Sequence, residues 1–265
     1  MSNAKLRFGM AFMAIAALAT FGARAQESGD ESQTGAQLFK ELKAQSEIVS
    51  SSPLYDRLRP IAANLTNVVQ PQYAYPIHFY IVHEPQPNAF AAPGGNVYVT
   101  DALFYFVKNK EELQGVLCHE TSHLLHHDSE KLMKDDQQIR ARAIAATILL
   151  GPTIGVILAT TAISQLDSLH YSRNAEEAAD LTGADNCAKA GYNPWGLVWL
   201  FRDFSNANVE QPPELLSDHP DFEHRIAQLE QHFKQNPSLF DRFDATEQSA
   251  TVLDVPKNED ESFLR

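Results

Sequence analysis

The run His119-Glu120-Thr121-Ser122-His123 sets two imidazoles four residues apart, and on a helix that spacing stacks them one turn apart on a single face. Ring nitrogens placed this way converge on one ion. Glu120 follows the first imidazole and falls beside the ion without being a ligand, where a carboxylate can take a proton from water. Zinc suits this donor set, and a catalytic zinc keeps three protein ligands and one open position. The pattern therefore asks for a third ligand elsewhere.

Nearby candidates fail on distance. His127 stands about 12 Å along the helix axis from His119 at ~1.5 Å per residue, so the two cannot hold one ion, and His126 and His127 read as a solvated face. A third histidine at metzincin spacing would fall at Ser129, which excludes that subclass. Downstream, Tyr171 to Asp180 reads as a helix with Glu176 and Asp180 one turn apart. Crossing the first helix, it would offer Glu176 to the metal and Asp180 as a support that fixes a ligand imidazole through its other nitrogen, though this segment by itself also reads as a charged helix face. Glu177, about 100° further round, faces solvent.

Several elements must position these side chains. Asn109 followed by Glu112 is a capping box opening the long helix that carries the paired histidines, with Leu113, Val116, Leu117, Leu124 and Leu125 as its apolar stripe. Ala36 to Val49 and Tyr55 to Val69 have helical apolar spacing and read as scaffold. Ile77 to Val82 and Asn96 to Val99 read as strands of a small twisted sheet, joined through a Pro93-Gly94-Gly95 turn. Further helices are expected over Asp101 to Val107, from Pro194 towards Phe204, and over Pro220 to Phe233. The fold class is α+β, mainly helical, with one globular domain over residues 36–236.

The flanks read differently. Residues 1–25 have the parts of a secretory signal peptide: Lys5 and Arg7, an apolar run from Phe8 to Phe21, and Ala23 and Ala25 around Arg24. Cleavage is expected after Ala25, giving a periplasmic protein. Residues 26–35 read as a flexible leader, and residues 237–265 as an acidic, loosely ordered tail. Ala143 to Ser164 carries no charge and is interrupted by Gly151-Pro152 and Gly155. A transmembrane helix and a hairpin insert are both readings of it. The hairpin is favoured because the segments on either side must meet at one metal, and it would touch a membrane peripherally.

The formal charge of −13 repels phosphate backbones, so nucleic acid is excluded as a partner. Only Cys118 and Cys187 carry thiols. Cys187 lies about 16 Å along its helix from Glu176, whereas Cys118 adjoins a ligand, so two buried free thiols are expected.

Four blocks in order resemble the BepA-like and HtpX-like zinc metallopeptidases, which belong with the gluzincins: Asn88 to Thr100, Glu112 to Glu120, Tyr171 to Asp180, and His219-Pro220 followed by Arg225-Ile226. The resemblance implies a zincin-like domain with one Zn2+ per chain, Glu176 as third ligand, and Asp180 as a supporting or proton-donating acid. It also implies an edge strand, Asn88, Ala89, Phe90 and Ala91, that pairs with the backbone of protein or peptide substrates. The activity implied is metalloendopeptidase cleavage of misfolded or outer-membrane proteins in the cell envelope, with Glu120 passing the proton of water to the leaving amine. A chaperone-like envelope assembly factor is the alternative. His219 would close off the water position in such relatives, or else simply precede Pro220 at a helix start; Arg225 would stabilise an oxyanion or pair with an acid. Departures are Ser122, where many relatives have glycine, and Asp128, where relatives often have histidine. No tandem helical repeats follow Arg225.

Overall fold

A computed structural model describes residues 31–44, 47–132, 171–206 and 222–256, and among them the chain is mainly helical around one three-stranded sheet. The expected signal peptide, the 143–164 insert, His219 and the end of the tail lie outside the described residues.

Helix α1 spans Glu31–Ala44, so it takes in half of the expected leader and ends short of Val49. Its first turn is polar and has no apolar period, which is why composition alone read it as leader. Long-range partners anchor it: Glu31 accepts hydrogen bonds from the Tyr73 hydroxyl and pairs with His127. Leu38 and Leu42 one turn apart bury against Val82, Ala92 and Tyr98 of the sheet. Helix α2 (Tyr55–Val69) follows the expected apolar spacing, burying Leu58, Ile61, Leu65 and Val69.

Strand β1 (His78–Val82) runs parallel to β3 (Asn96–Thr100), with His78 opposite Asn96, and β2 (Ala89–Ala92) runs antiparallel to β3, with Ala91 opposite Val97. The Pro93–Gly95 turn therefore links β2 to β3, and the two strands read from sequence are neighbours without being a hairpin. Among the described residues the order β1-β3-β2 leaves β2 at an edge. Every residue of β3 is buried, because α1 covers one face of the sheet and the main core lies on the other. That double cover is the physical reason β3 shows no polar alternation.

Thr100 caps the short helix α3 (Asp101–Phe106), and Asn109 opens α4 (Lys110–Leu125) by accepting from the Glu112 N–H at 2.9 Å. The Glu112 carboxylate reaches back to the Lys108 N–H at 2.7 Å, a variant of the expected capping box. Helices α5 (Arg173–Lys189) and α6 (Trp195–Asn206) pack on α4 and make it central to the molecule. Close approach depends on glycine: a Cβ on Gly196 would lie 2.1 Å from the Glu111 carbonyl oxygen, and one on Gly183 would lie 3.0 Å from that of Cys118.

Helix α7 (Phe222–Gln235) completes the frame around α5 and α6, followed by the short α8 (Pro237–Phe240). Much of the expected loose tail is in fact packed. Phe240 and Leu253 enter the core, Trp199 donates to the Ala245 carbonyl at 3.0 Å, and Val252 bridges to Asn109. A few spaced apolar anchors hold this segment, too sparse to give the periodicity of a helix or strand.

The two cysteines form a disulfide with Cα atoms 5.7 Å apart, which corrects the expectation of free thiols. Helices α4 and α5 lie side by side and run in opposite directions, with Glu176 level with the histidines and Cys187 beside the Gln114 carbonyl. Descending α5 from Glu176 therefore follows α4 back past Cys118, so the axial distance from Glu176 does not measure the distance between the sulfurs.

Candidate active site

Three ligand atoms converge from two helices. On α4, His119 Nε2 and His123 Nε2 are 3.1 Å apart, and each lies 3.5 Å from a carboxylate oxygen of Glu176 on α5. Bonds of about 2.0–2.2 Å to a tetrahedral zinc put neighbouring donors roughly 3.3 Å apart, so the two nitrogens and one carboxylate fit that ion. All three residues are buried.

Their outer nitrogens are held as well. His119 Nδ1 lies 2.9 Å from Asp180 Oδ1, and His123 Nδ1 lies 3.0 Å from Asp128 Oδ2. Carboxylates accepting at both Nδ1 positions leave both Nε2 lone pairs aimed at the centre. Arg225, on α7, donates from Nε and Nη2 to the two oxygens of Asp180, each at 2.7 Å, and from Nη1 to Glu176 at 2.9 Å. Its guanidinium carbon also sits 4.3 Å from the Phe201 ring centroid. One cation thus pairs with and aligns two buried acids, so of the two roles expected for Arg225, pairing with an acid is the one this geometry presents.

Asp180 faces the far nitrogen of His119, away from the ligand nitrogens. Burial alone would raise its pKa, but Arg225 and His119 together hold it below the ordinary carboxylate value. This position presents the supporting role.

The two imidazoles differ in basicity. Burial pulls His119 down to about 4. Burial also opposes charge on His123, yet Asp128 and Glu176 outweigh it and raise that ring to about 9.

Glu120 is 0% exposed and accepts a hydrogen bond at 3.1 Å from the Ala91 N–H on edge strand β2. The Ala91 carbonyl accepts from Ser129 Oγ at 2.7 Å, and Ser129 in turn meets the Tyr171 hydroxyl at 2.9 Å. The Tyr171 ring stacks on His123 with centroids 4.0 Å apart. Ala91 therefore turns its N–H and C=O away from β3 and towards the site. Phe90 instead packs its ring on Tyr98, and Asn88 accepts from the Ala89 N–H.

Residues 54–232 match peptidase family M48. The chain belongs to that family. Members of family M48 are zinc-dependent, in keeping with the donor set here. Among curated relatives, the M48 chain is 32% identical over 155 residues to the Beta-barrel assembly-enhancing protease of Yersinia pestis, an alignment covering 55% of this chain and 32% of that protein. The protein of the same name from Escherichia coli (strain K12) is 25% identical over 209 residues, covering 75% of this chain and 43% of the relative. Mitochondrial metalloendopeptidase OMA1 of Schizosaccharomyces pombe is 27% identical over 158 residues, covering 57% and 45%. This M48 chain thus spans 32–45% of the length of these relatives.

Sequence reasoning missed the parts of Asp128, Ser129 and Tyr171. His126 is half-buried and meets Thr182 at 3.1 Å, and His127 holds Glu31, so neither belongs to a purely solvated face. A histidine pair just past a metal motif carries no local mark of such long-range partners.

Proposed function

We propose that this chain is a zinc-dependent metalloendopeptidase with His119, His123 and Glu176 as ligands and Glu120 as general base. The observation that carries the reading is the convergence of those three donors beside Glu120, which itself abuts the edge of β2. A bound zinc would supply Lewis acidity at the scissile carbonyl. Glu120 takes a proton from the attacking water and returns it to the leaving amine. Strand β2 presents main-chain groups to an extended substrate, so recognition through backbone hydrogen bonds would tolerate many sequences. Asp180, pinned by Arg225, orients His119.

Export through residues 1–25 to a periplasm, and action on misfolded or outer-membrane proteins there, complete the proposal. The names of the beta-barrel assembly-enhancing relatives support the choice of substrate class. The test is direct: Glu120→Gln should retain zinc and lose peptide cleavage in an assay with unfolded outer-membrane protein, whereas His119→Ala, His123→Ala and Glu176→Gln should lose the metal. Cleavage by Glu120→Gln at the wild-type rate contradicts the assignment.

One observation favours a second reading, a chaperone-like assembly factor with low or regulated proteolysis. The outward N–H and C=O of Ala91 are engaged by Glu120 and Ser129, so a substrate strand must displace these contacts at that position. Full rescue of a deletion strain by Glu120→Gln would make binding the principal task.

A further inference from the structure

We infer that Asp128 is a positioning residue for the metal, fixing His123 as the counterpart of what Asp180 does for His119. The inference rests on the zinc-peptidase reading and extends it to a residue that the sequence motif does not include.

Helix α4 ends at Leu125 with His126 as its C-cap. His127 then takes φ 55°, a left-handed conformation uncommon outside glycine but one in which histidine is among the enriched side chains. In an unbroken helix the residue beneath His123 would be the one four positions on, His127 itself. The left-handed residue ends that geometry and the chain re-enters a helix at Asp128, which brings this carboxylate, five positions on, to the His123 ring. Its Oδ2 lies 3.0 Å from His123 Nδ1, and its Oδ1 accepts from Lys131 Nζ at 3.1 Å. The displaced His127 side chain points elsewhere, to Glu31 on α1 at 2.9 Å.

Asp128 is 6% exposed, so water does not substitute readily for it as the partner of Nδ1. A carboxylate accepting from Nδ1–H fixes the tautomer, raises the donor strength of Nε2 and stops rotation of the ring. Tyr171 stacks flat on the same ring, 14° from parallel, and blocks it from tilting. Together the two contacts determine ring plane and nitrogen identity. Losing such a partner characteristically lowers metal affinity by about 10–100-fold.

The experiment measures zinc affinity of the full chain by chelator competition for wild type, Asp128→Asn and Asp128→Ala, with folding followed by circular dichroism. Asp128→Ala is expected to weaken zinc binding at least tenfold, and Asp128→Asn, which keeps shape and an acceptor, by less. In zinc-loaded wild type, nitrogen-15 NMR should show His123 protonated at Nδ1 and ligating through Nε2, with the Nδ1 proton slow to exchange. That signal needs no variant, so it still tests the idea should Asp128→Ala not fold. Wild-type affinity in both variants, or a His123 that ligates through Nδ1, overturns the role of Asp128 alone. A wild-type chain that takes up no zinc overturns the peptidase reading and this inference with it.

Discussion

The backbone N–H of Ala91 and the carboxylate of Glu120 are hydrogen-bonded at 3.1 Å, so the proposed general base is tied to the very strand that would receive substrate. Ser129 holds the carbonyl of the same residue. A substrate strand adding at this edge competes with both contacts. Since a typical net hydrogen bond contributes about 1 kcal/mol, Ser129→Ala should lower KM roughly fivefold while leaving kcat nearly unchanged. Steady-state cleavage of an unfolded substrate checks this, and an unchanged or higher KM would show that Ala91 does not pair with substrate.

The disulfide between Cys118 and Cys187 joins α4 to α5 next to His119, its ends separated by 69 positions in sequence. Closing a loop of that size restricts the unfolded chain by about 4 kcal/mol on the chain-entropy view. Urea unfolding of Cys118→Ser/Cys187→Ser should therefore show a loss of about 2–5 kcal/mol, matched by wild type in reductant. Oxidised wild type should have no titratable thiol after denaturation; two would contradict the link.

How much of this was legible beforehand depended on the range of the interaction. His119, Glu120 and His123 were readable because one helical turn determines their relation, and Glu176 with Asp180 because the same periodicity recurs downstream. The Asn109 cap and the spacing of Leu58, Ile61 and Leu65 are equally local. What escaped was built by contacts distant in sequence: Glu31 ordering the start of α1 through Tyr73, 42 residues away, and Leu253 drawing the tail into the core. The disulfide escaped for a related reason, since spacing along one helix says nothing about which way its neighbour runs. Asp128 was hidden by a single left-handed residue, His127, which helical spacing alone does not announce.

Glu112 supplies a pH prediction remote from the metal. Burial raises its pKa to about 7, more than the Lys108 N–H bond to its carboxylate lowers it. The folded chain thus holds this proton more tightly than the unfolded one, whose Glu titrates near 4.5. Its contribution to stability is complete below that value and is lost as pH rises through about 7. Glu112→Gln cannot titrate, so the stability difference between variant and wild type should shift in the variant's favour between pH 5 and pH 8, as read by parallel denaturant titrations. A difference constant across that range would mean that the carboxyl is already ionised in the fold.

Arg225 tests whether the acids behind the candidate metal site are held as a unit. It is 2% exposed and binds both Asp180 and Glu176, so its removal leaves two buried carboxylates facing each other without their cation. Breaking a buried pair in this way costs about 3–5 kcal/mol. Arg225→Ala should therefore unfold at markedly lower urea concentration when metal-free. Arg225→Lys restores the charge but not the two-pronged geometry on Asp180 or the stacking over Phe201, so it should recover only part of the loss. Added zinc supplies a second cation to Glu176 but none to Asp180, and so should narrow the gap between Arg225→Ala and wild type without closing it. Complete rescue by zinc would assign Arg225 to Glu176 alone, and full stability in the metal-free alanine variant would show that the two acids do not depend on this guanidinium.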